Sequence, residues 1–168
     1  FVLFAGSGVR DAALLQRLLH ETSHRLAELQ GSDLANVVMG CFRSCTPSLL
    51  KDVEGLHDSL RDAALERARG MPVKPRLRIF LAAPTLFDLP QEQTVELSEN
   101  ILEDLDSMDT AELTRCIVAC ARRQLVHEPF LRPVFQSIRQ KREELSPNDV
   151  LTCIWAVHAL GFYTPKFR

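Results

Sequence analysis

No apolar run in this chain approaches the roughly 18 residues that a helix needs to cross a bilayer, which excludes a helical membrane span. Apolar residues recur at helical spacing nearly throughout, and no segment of four or more residues stands out from it as a half-buried strand, so strands are not expected. Lysine is scarce, with four against sixteen arginines, and neither occurs between Ile79 and Thr114. The net charge of −2 excludes a chain that is basic throughout. Five cysteines cannot all pair within one chain, and Cys41, Cys116, Cys120 and Cys153 fall at helical core positions beside Cys45. That usage fits reduced, buried thiols packing as small hydrophobes in a reducing compartment. Phe4-Ala5-Gly6-Ser7-Gly8 lacks the lysine and the glycine spacing of a phosphate-binding loop, so it reads as an ordinary loop. The carboxylates have neither the spacing nor the central glycine of a calcium loop. The chain opens on Phe1 without an initiator Met and stops in mid-pattern at Arg168, so a piece of a longer protein is expected. Missing targeting signals therefore carry little weight.

What is present is a repeat. Leu113-x-x-Cys116-Ile117-x-Ala119-Cys120 returns 37 residues later as Val150-x-x-Cys153-Ile154-x-Ala156-Val157. Each copy follows a helix-capping residue, Asp109 or Ser146. Leu34-x-x-Val37-Val38-x-Gly40-Cys41 fits the same template, and Ile79-Phe80-x-Ala82-Ala83 fits it less well. The small residues Gly40, Ala82, Ala119 and Ala156 are thus 42, 37 and 37 apart. A fixed period of this size marks a solenoid, in which each unit buries its apolar face against its neighbours.

Helical periodicity predicts helices near residues 9–29, 32–44, 48–69, 76–83, 91–107, 110–124, 130–144 and 147–161. The breakers between them are Gly31, Thr46-Pro47, Gly70-Met71-Pro72, Pro84 and Pro90, Glu128-Pro129, Ser146-Pro147 and Gly161. Phe1 to Gly6 ends an earlier element, with a short edge strand as the alternative. Shorter "A" helices carry stripes such as Leu113, Cys116, Ile117 and Cys120, or Val150, Cys153, Ile154 and Val157. More charged "B" helices carry Leu49, Val53, Leu56, Leu60 or Leu131, Val134, Phe135, Ile138. The small residue in each A stripe lets neighbouring helices approach closely. The expected architecture is all-α: a right-handed α-solenoid of about four stacked antiparallel helix pairs. One domain over 1–168 would hold approximate repeats at 32–70, 72–107, 109–145 and 146–168, the last incomplete. The segment from Pro72 to Pro90 is the weakest repeat, because Arg76 replaces Leu34, Leu113 and Val150, and its helix is expected to be short or distorted. Trp155, the only tryptophan, is expected at a contact between repeats.

Charge is distributed in blocks. Nine acids lie between Asp88 and Glu112, among them Glu96, Glu99, Glu103 and Asp106. From Arg115 to Arg142 seven cations face Glu128 alone, and Arg67, Arg69, Lys74, Arg76 and Arg78 form a second basic cluster. Such blocks suit solvated helix faces, or opposed surfaces for different partners. His20-Glu21-Thr22-Ser23-His24 matches the zinc-protease pattern, in which two imidazoles one turn apart bind the metal and the Glu activates water. Its context is wrong for that chemistry. Arg25 follows directly, Ala27 and Gln30 stand where a metzincin has Gly and His, and no sheet is expected to shape a cleft. The expectation is no metal and no enzyme, with a zinc hydrolase through His20 and His24 as the remote alternative.

Ser146-Pro147-Asn148-Asp149-Val150-Leu151-Thr152-Cys153-Ile154-Trp155-Ala156-Val157-His158-Ala159-Leu160-Gly161-Phe162 resembles the octotricopeptide and heptatricopeptide repeats that often accompany the RAP domain in organellar proteins. Ser32 to Gly40 is a looser match, the 37-residue period is similar to the heptatricopeptide form, and no RAP domain is visible. The resemblance implies a non-enzymatic module acting on RNA in mitochondria or plastids. Its most concrete form is a mitochondrial ribosome component in the matrix that holds ribosomal RNA, or another organellar transcript, and neighbouring proteins. In such arrays the A helices line the surface that meets RNA. That points to Asn36, Arg43, Arg78, Arg115, Arg122 and Thr152, with Arg123, Arg139 and Arg142 from the basic block. The excess of arginine suits phosphate forks and base stacking. The alternative is a protein scaffold of a mitochondrial complex, docking a basic partner through Glu96, Glu99, Glu103 and Asp106. Neither reading needs a cofactor or a small-molecule substrate.

Overall fold

A computed structural model describes residues 11–45 and 47–161. The described residues form nine α-helices and three short 3₁₀ helices, with no strand among them. No helix among them is long and apolar enough to cross a membrane. The chain forms two compact units, Phe1–Pro90 and Gln91–Arg168.

In the first unit, α1 (Ala12–Arg25) starts where the Asp11 carboxylate accepts from the Ala13 and Leu14 amides. It ends in a 3₁₀ turn, Leu26–Glu28. Helix α2 (Gly31–Ser44) buries Leu34, Ala35, Val37, Val38 and Cys41. The short α3 (Pro47–Lys51) leads to α4 (Leu56–Ala68) and then α5 (Val73–Leu86). Arg67, in the last turn of α4, donates to the Leu29 carbonyl just before α2. Helix α4 therefore runs back along α2, an antiparallel pair. Helix α5 packs against both α2 and α4.

Two expectations fail in this unit. The helix expected over 48–69 is interrupted, with Gly55 at φ +70, a left-handed turn that glycine adopts without a Cβ clash. The helix expected to be short, 76–83, runs the full Val73–Leu86 with Pro84 inside it. Proline there removes one hydrogen bond and strains the turn. The burial of Pro84, Leu86, Phe87 and Leu89 at the end of the helix outweighs that loss. Arg76 is accommodated by donating Nε and Nη2 to the Met71 carbonyl at 3.2 and 2.7 Å, while its stem stays half-buried.

The second unit begins with α6 (Gln91–Glu99) and a 3₁₀ helix, Leu102–Ser107. Helix α7 (Thr110–Arg123) follows, capped by Asp109 and Glu112 in a reciprocal box. Helix α8 (Glu128–Gln140) turns back along it. Lys141, at its far end, donates to the Asp106 and Met108 carbonyls beside the start of α7. After a 3₁₀ turn, Arg142–Glu144, α9 (Pro147–Ala159) opens on a second capping box, Ser146 with Asp149. Thr114 and Cys153 meet near the starts of α7 and α9 at 3.8 Å. Near their ends, Gln124 Nε2 donates to the Ala159 carbonyl at 3.2 Å. Contacts of residues 39 and 35 apart at the two ends place α9 parallel to α7 and in register. The Phe1–Gly6 strand and the Phe4–Gly8 loop lie outside the described residues.

Candidate nucleic-acid interface

Each A-type helix can be numbered from its small residue: Gly40 in α2, Ala82 in α5, Ala119 in α7 and Ala156 in α9. Four positions before it stand Asn36, Arg78, Arg115 and Thr152. Three positions after it stand Arg43, Thr85, Arg122 and Ala159. These two positions are seven residues apart and therefore on one face of the helix. On α7 that face is open to solvent: Arg115 and Arg122 are both exposed and form no hydrogen bond or ion pair among the described residues. Arg139 on α8 is exposed and equally unengaged, as is Arg43 on α2.

The other candidates are committed elsewhere. Arg78 is half-buried and donates Nη1 to the Asn36 side chain, joining α5 to α2. This bond links equivalent positions of two A-type helices 42 residues apart, and it turns both groups toward each other. Arg123 is half-buried and has its own interactions. Arg142 pairs with Glu143 at 3.0 Å on the surface. Thr152 Oγ1 donates to the Asn148 carbonyl one turn back. Four unengaged arginines remain: Arg43 in the first unit, and Arg115, Arg122 and Arg139 in the second. The spacing of 42 between Asn36 and Arg78 was the sequence signal for their pairing, because stacked helices bring like positions together.

Of the acidic candidates, Glu96, Glu99, Glu103 and Asp106 are all exposed. Glu99 lies 3.4 Å from Nε2 of His127, an ion pair only when the imidazole is protonated. Asp106 contributes its backbone carbonyl to Lys141 and leaves its carboxylate outward.

His20 and His24 lie on the exposed side of α1 with their Nε2 atoms 3.2 Å apart and their rings edge to face. Arg25 and Glu28 close an ion pair at 3.0 Å just beyond them. Among the described residues, no group of three or more His, Cys, Asp or Glu is placed to hold a metal ion. Two imidazoles alone fall short of the three protein ligands of a catalytic zinc.

Cys41, Cys116 and Cys120 are buried, Cys45 and Cys153 half-buried, and all five are free thiols. Burial pushes the Cys116 thiol far up and Cys120 up to about 12. A hydrogen bond with Cys45 raises Cys41 and lowers Cys45.

The last A-type helix departs from its equivalents. Val150, Ile154 and Trp155 were expected in a covered stripe or at a contact between repeats, but they are 41%, 62% and 48% exposed, and Leu151 is 66% exposed. Their counterparts Leu113 and Ile117 on α7 are 0% exposed and Thr114 only 4%. Ala156 is buried as expected, and Leu160 is buried too. Periodicity marks which face of a helix is apolar, not whether a neighbour lies against it.

No protein-family model, no curated protein and no solved structure matches this chain.

Proposed function

We propose that this chain is a helical-repeat module of an organellar ribonucleoprotein, an α-solenoid segment with a period near 37 residues. Its closest description is a non-enzymatic mitochondrial ribosome component that contacts ribosomal RNA and neighbouring proteins. One observation carries the reading: Arg115 and Arg122 stand on one open face of α7, unengaged, at positions that repeat along the chain. Arginine heads held by rigid helices and free of carboxylates suit the planar, bidentate recognition of phosphate. The order of A, B and A helices within each unit supports the repeat reading, and the heptatricopeptide-like sequence supports the organellar setting.

A steep dependence of RNA affinity on salt tests the reading. If Arg115, Arg122 and Arg139 neutralise about three phosphates of a single strand, the log–log salt slope is about −2. Affinity then falls about 20-fold between 50 and 200 mM salt. Changing all three to Glu should flatten that slope. Binding that is unmeasurable at low salt, or insensitive to the change, would leave the scaffold reading, which the exposed carboxylates of Glu103 and Asp106 favour.

A further inference from the structure

Helix α1 carries two imidazoles that RNA contact does not use, and they are placed as a chelate is. His20 and His24 stand one turn apart, both exposed, with Nε2 facing Nε2 at 3.2 Å. Their rings meet edge to face at 83°, with centroids 4.6 Å apart. Two neutral imidazoles cannot both present a lone pair to each other, so one Nε2 donates and the other accepts. A metal ion can take the place of that shared proton. On an ion held at the roughly 2.0–2.1 Å of a zinc–imidazole bond, two nitrogens stand about 2.9 Å apart at a right angle and about 3.3 Å apart at the tetrahedral angle. The observed 3.2 Å lies within that span.

The support beneath the pair is fixed. The Asp11 carboxylate caps the start of α1, and Leu15 and Leu19 anchor its inner side in the core. The intervening hydroxyls are occupied: Thr22 donates to the Leu18 carbonyl and Ser23 to the His20 carbonyl, both at 2.7 Å. The Arg25 head, next to His24 in the chain, is held by Glu28 at 3.0 Å. The charges nearest along the chain, Arg17, Glu21, Arg25 and Glu28, cancel, so these four set up no net positive field against a cation.

We propose that His20 and His24 bind one borderline divalent transition-metal ion, of the Zn²⁺ or Ni²⁺ class, through their two Nε2 atoms, with water filling the remaining positions. Imidazole nitrogen selects such ions over Mg²⁺ and Ca²⁺, which prefer oxygen. On binding, the imidazole that had donated moves its proton from Nε2 to Nδ1 through solvent, so both rings carry Nδ1–H and no net proton is released. With two protein ligands the ion exchanges freely and is lost on dialysis, unlike a resident zinc with three or four. The site requires no catalysis and is independent of RNA binding.

Titration of the full chain with Zn²⁺, Ni²⁺ and Mg²⁺ tests the site, with heat and the ring-proton NMR signals of the five histidines as readouts. The expected result is one Zn²⁺ or Ni²⁺ per chain, with His20 and His24 perturbed together before the other three, and no response to Mg²⁺. His20→Ala and His24→Ala should each weaken binding at least about tenfold, because the second imidazole no longer adds its local effective concentration. His158→Ala, at an exposed histidine outside the pair, should leave binding unchanged. A combined Glu21→His and His24→Glu variant keeps the composition but sets the imidazoles at i and i+1, which do not face each other. It should bind as weakly as the alanine variants while its circular dichroism stays that of the parent. Five histidines perturbed alike, one alanine change without effect, or a rearranged variant that binds like the parent would overturn the proposal. Sedimentation at twice the mass once metal is added would overturn it in favour of an ion bridging two copies.

Discussion

Ile117 and Ile154 occupy the same position of the repeat, 37 residues apart, yet one is 0% and the other 62% exposed. Truncating each to alanine is therefore a matched experiment in which chemistry and helix position are constant and only the neighbours differ. Ile117→Ala removes a fully enclosed side chain and leaves a cavity between α7 and its neighbours, at a cost of about 3 kcal/mol. Ile154 keeps well under half of its surface covered, so Ile154→Ala should cost no more than about 1 kcal/mol. In a unit of this size, 1 kcal/mol moves the melting point by roughly 4–8 °C. The Ile117 variant should then melt more than about 10 °C lower, and the Ile154 variant no more than about 8 °C lower. Urea unfolding followed by Trp155 emission reads the second unit, which holds the only tryptophan. Equal slopes would show that only stability has changed. Similar losses for the two variants in dilute solution would refute the open face of α9. A large loss at Ile154 that vanishes on dilution would mean that the face is covered by self-association.

Two further outcomes follow from the side chains. Cys116 and Cys120 keep their protons in the fold above the ordinary thiol value of 9.0, so the folded chain binds more protons than the unfolded one once pH exceeds about 9. Stability is then intact below pH 9 and falls as pH rises, by about 3 kcal/mol for the pair at pH 10. Urea midpoints across pH 8–10.5 should show this fall, and the double change of both cysteines to alanine should reduce its slope. For the histidine pair of α1, zinc retained after dialysis should be well below one per chain. A full equivalent that is lost in His24→Ala would instead reinstate a zinc site at His20 and His24.

The helical class and the cap positions were legible in the sequence because they rest on local chemistry. Asp109 with Glu112, and Ser146 with Asp149, form the expected helix starts. The break before α4 was not legible. Leu49, Val53, Leu56 and Leu60 keep helical spacing straight through it, so periodicity is silent about the turn that Gly55 makes. Pro84 misled in the opposite direction, since a breaker was expected where buried neighbours hold the helix together. For the candidate site, the repeat named helix positions but could not say which arginines were already engaged. Arg78 and Asn36 satisfy each other across two helices, and a one-dimensional pattern contains no such partner.

The position after the small residue is the more consistent of the two that face outward. Arg43, Thr85 and Arg122 are all exposed, whereas the earlier position is half-buried in α2 and α5 and open only on α7. The difference has a physical cause. Asn36 and Arg78 form a polar pair that ties adjacent A-type helices, and the arginine thereby loses its freedom to meet a ligand. Arg115 has Thr152 at the equivalent position of α9, and that hydroxyl donates to its own helix. Arg115 is therefore left open by its neighbour's chemistry and not by its own. Thr152→Asn tests this directly, because it sets an amide at the position opposite Arg115, the residue pair of α2 and α5 with the two helices exchanged. If the register argument holds, the new amide should engage Arg115, and RNA affinity at low salt should drop toward that of Arg115→Gln. RNA binding unchanged by Thr152→Asn but lost in Arg115→Gln would mean that the Asn36–Arg78 bond depends on its own pair of helices and not on the repeat.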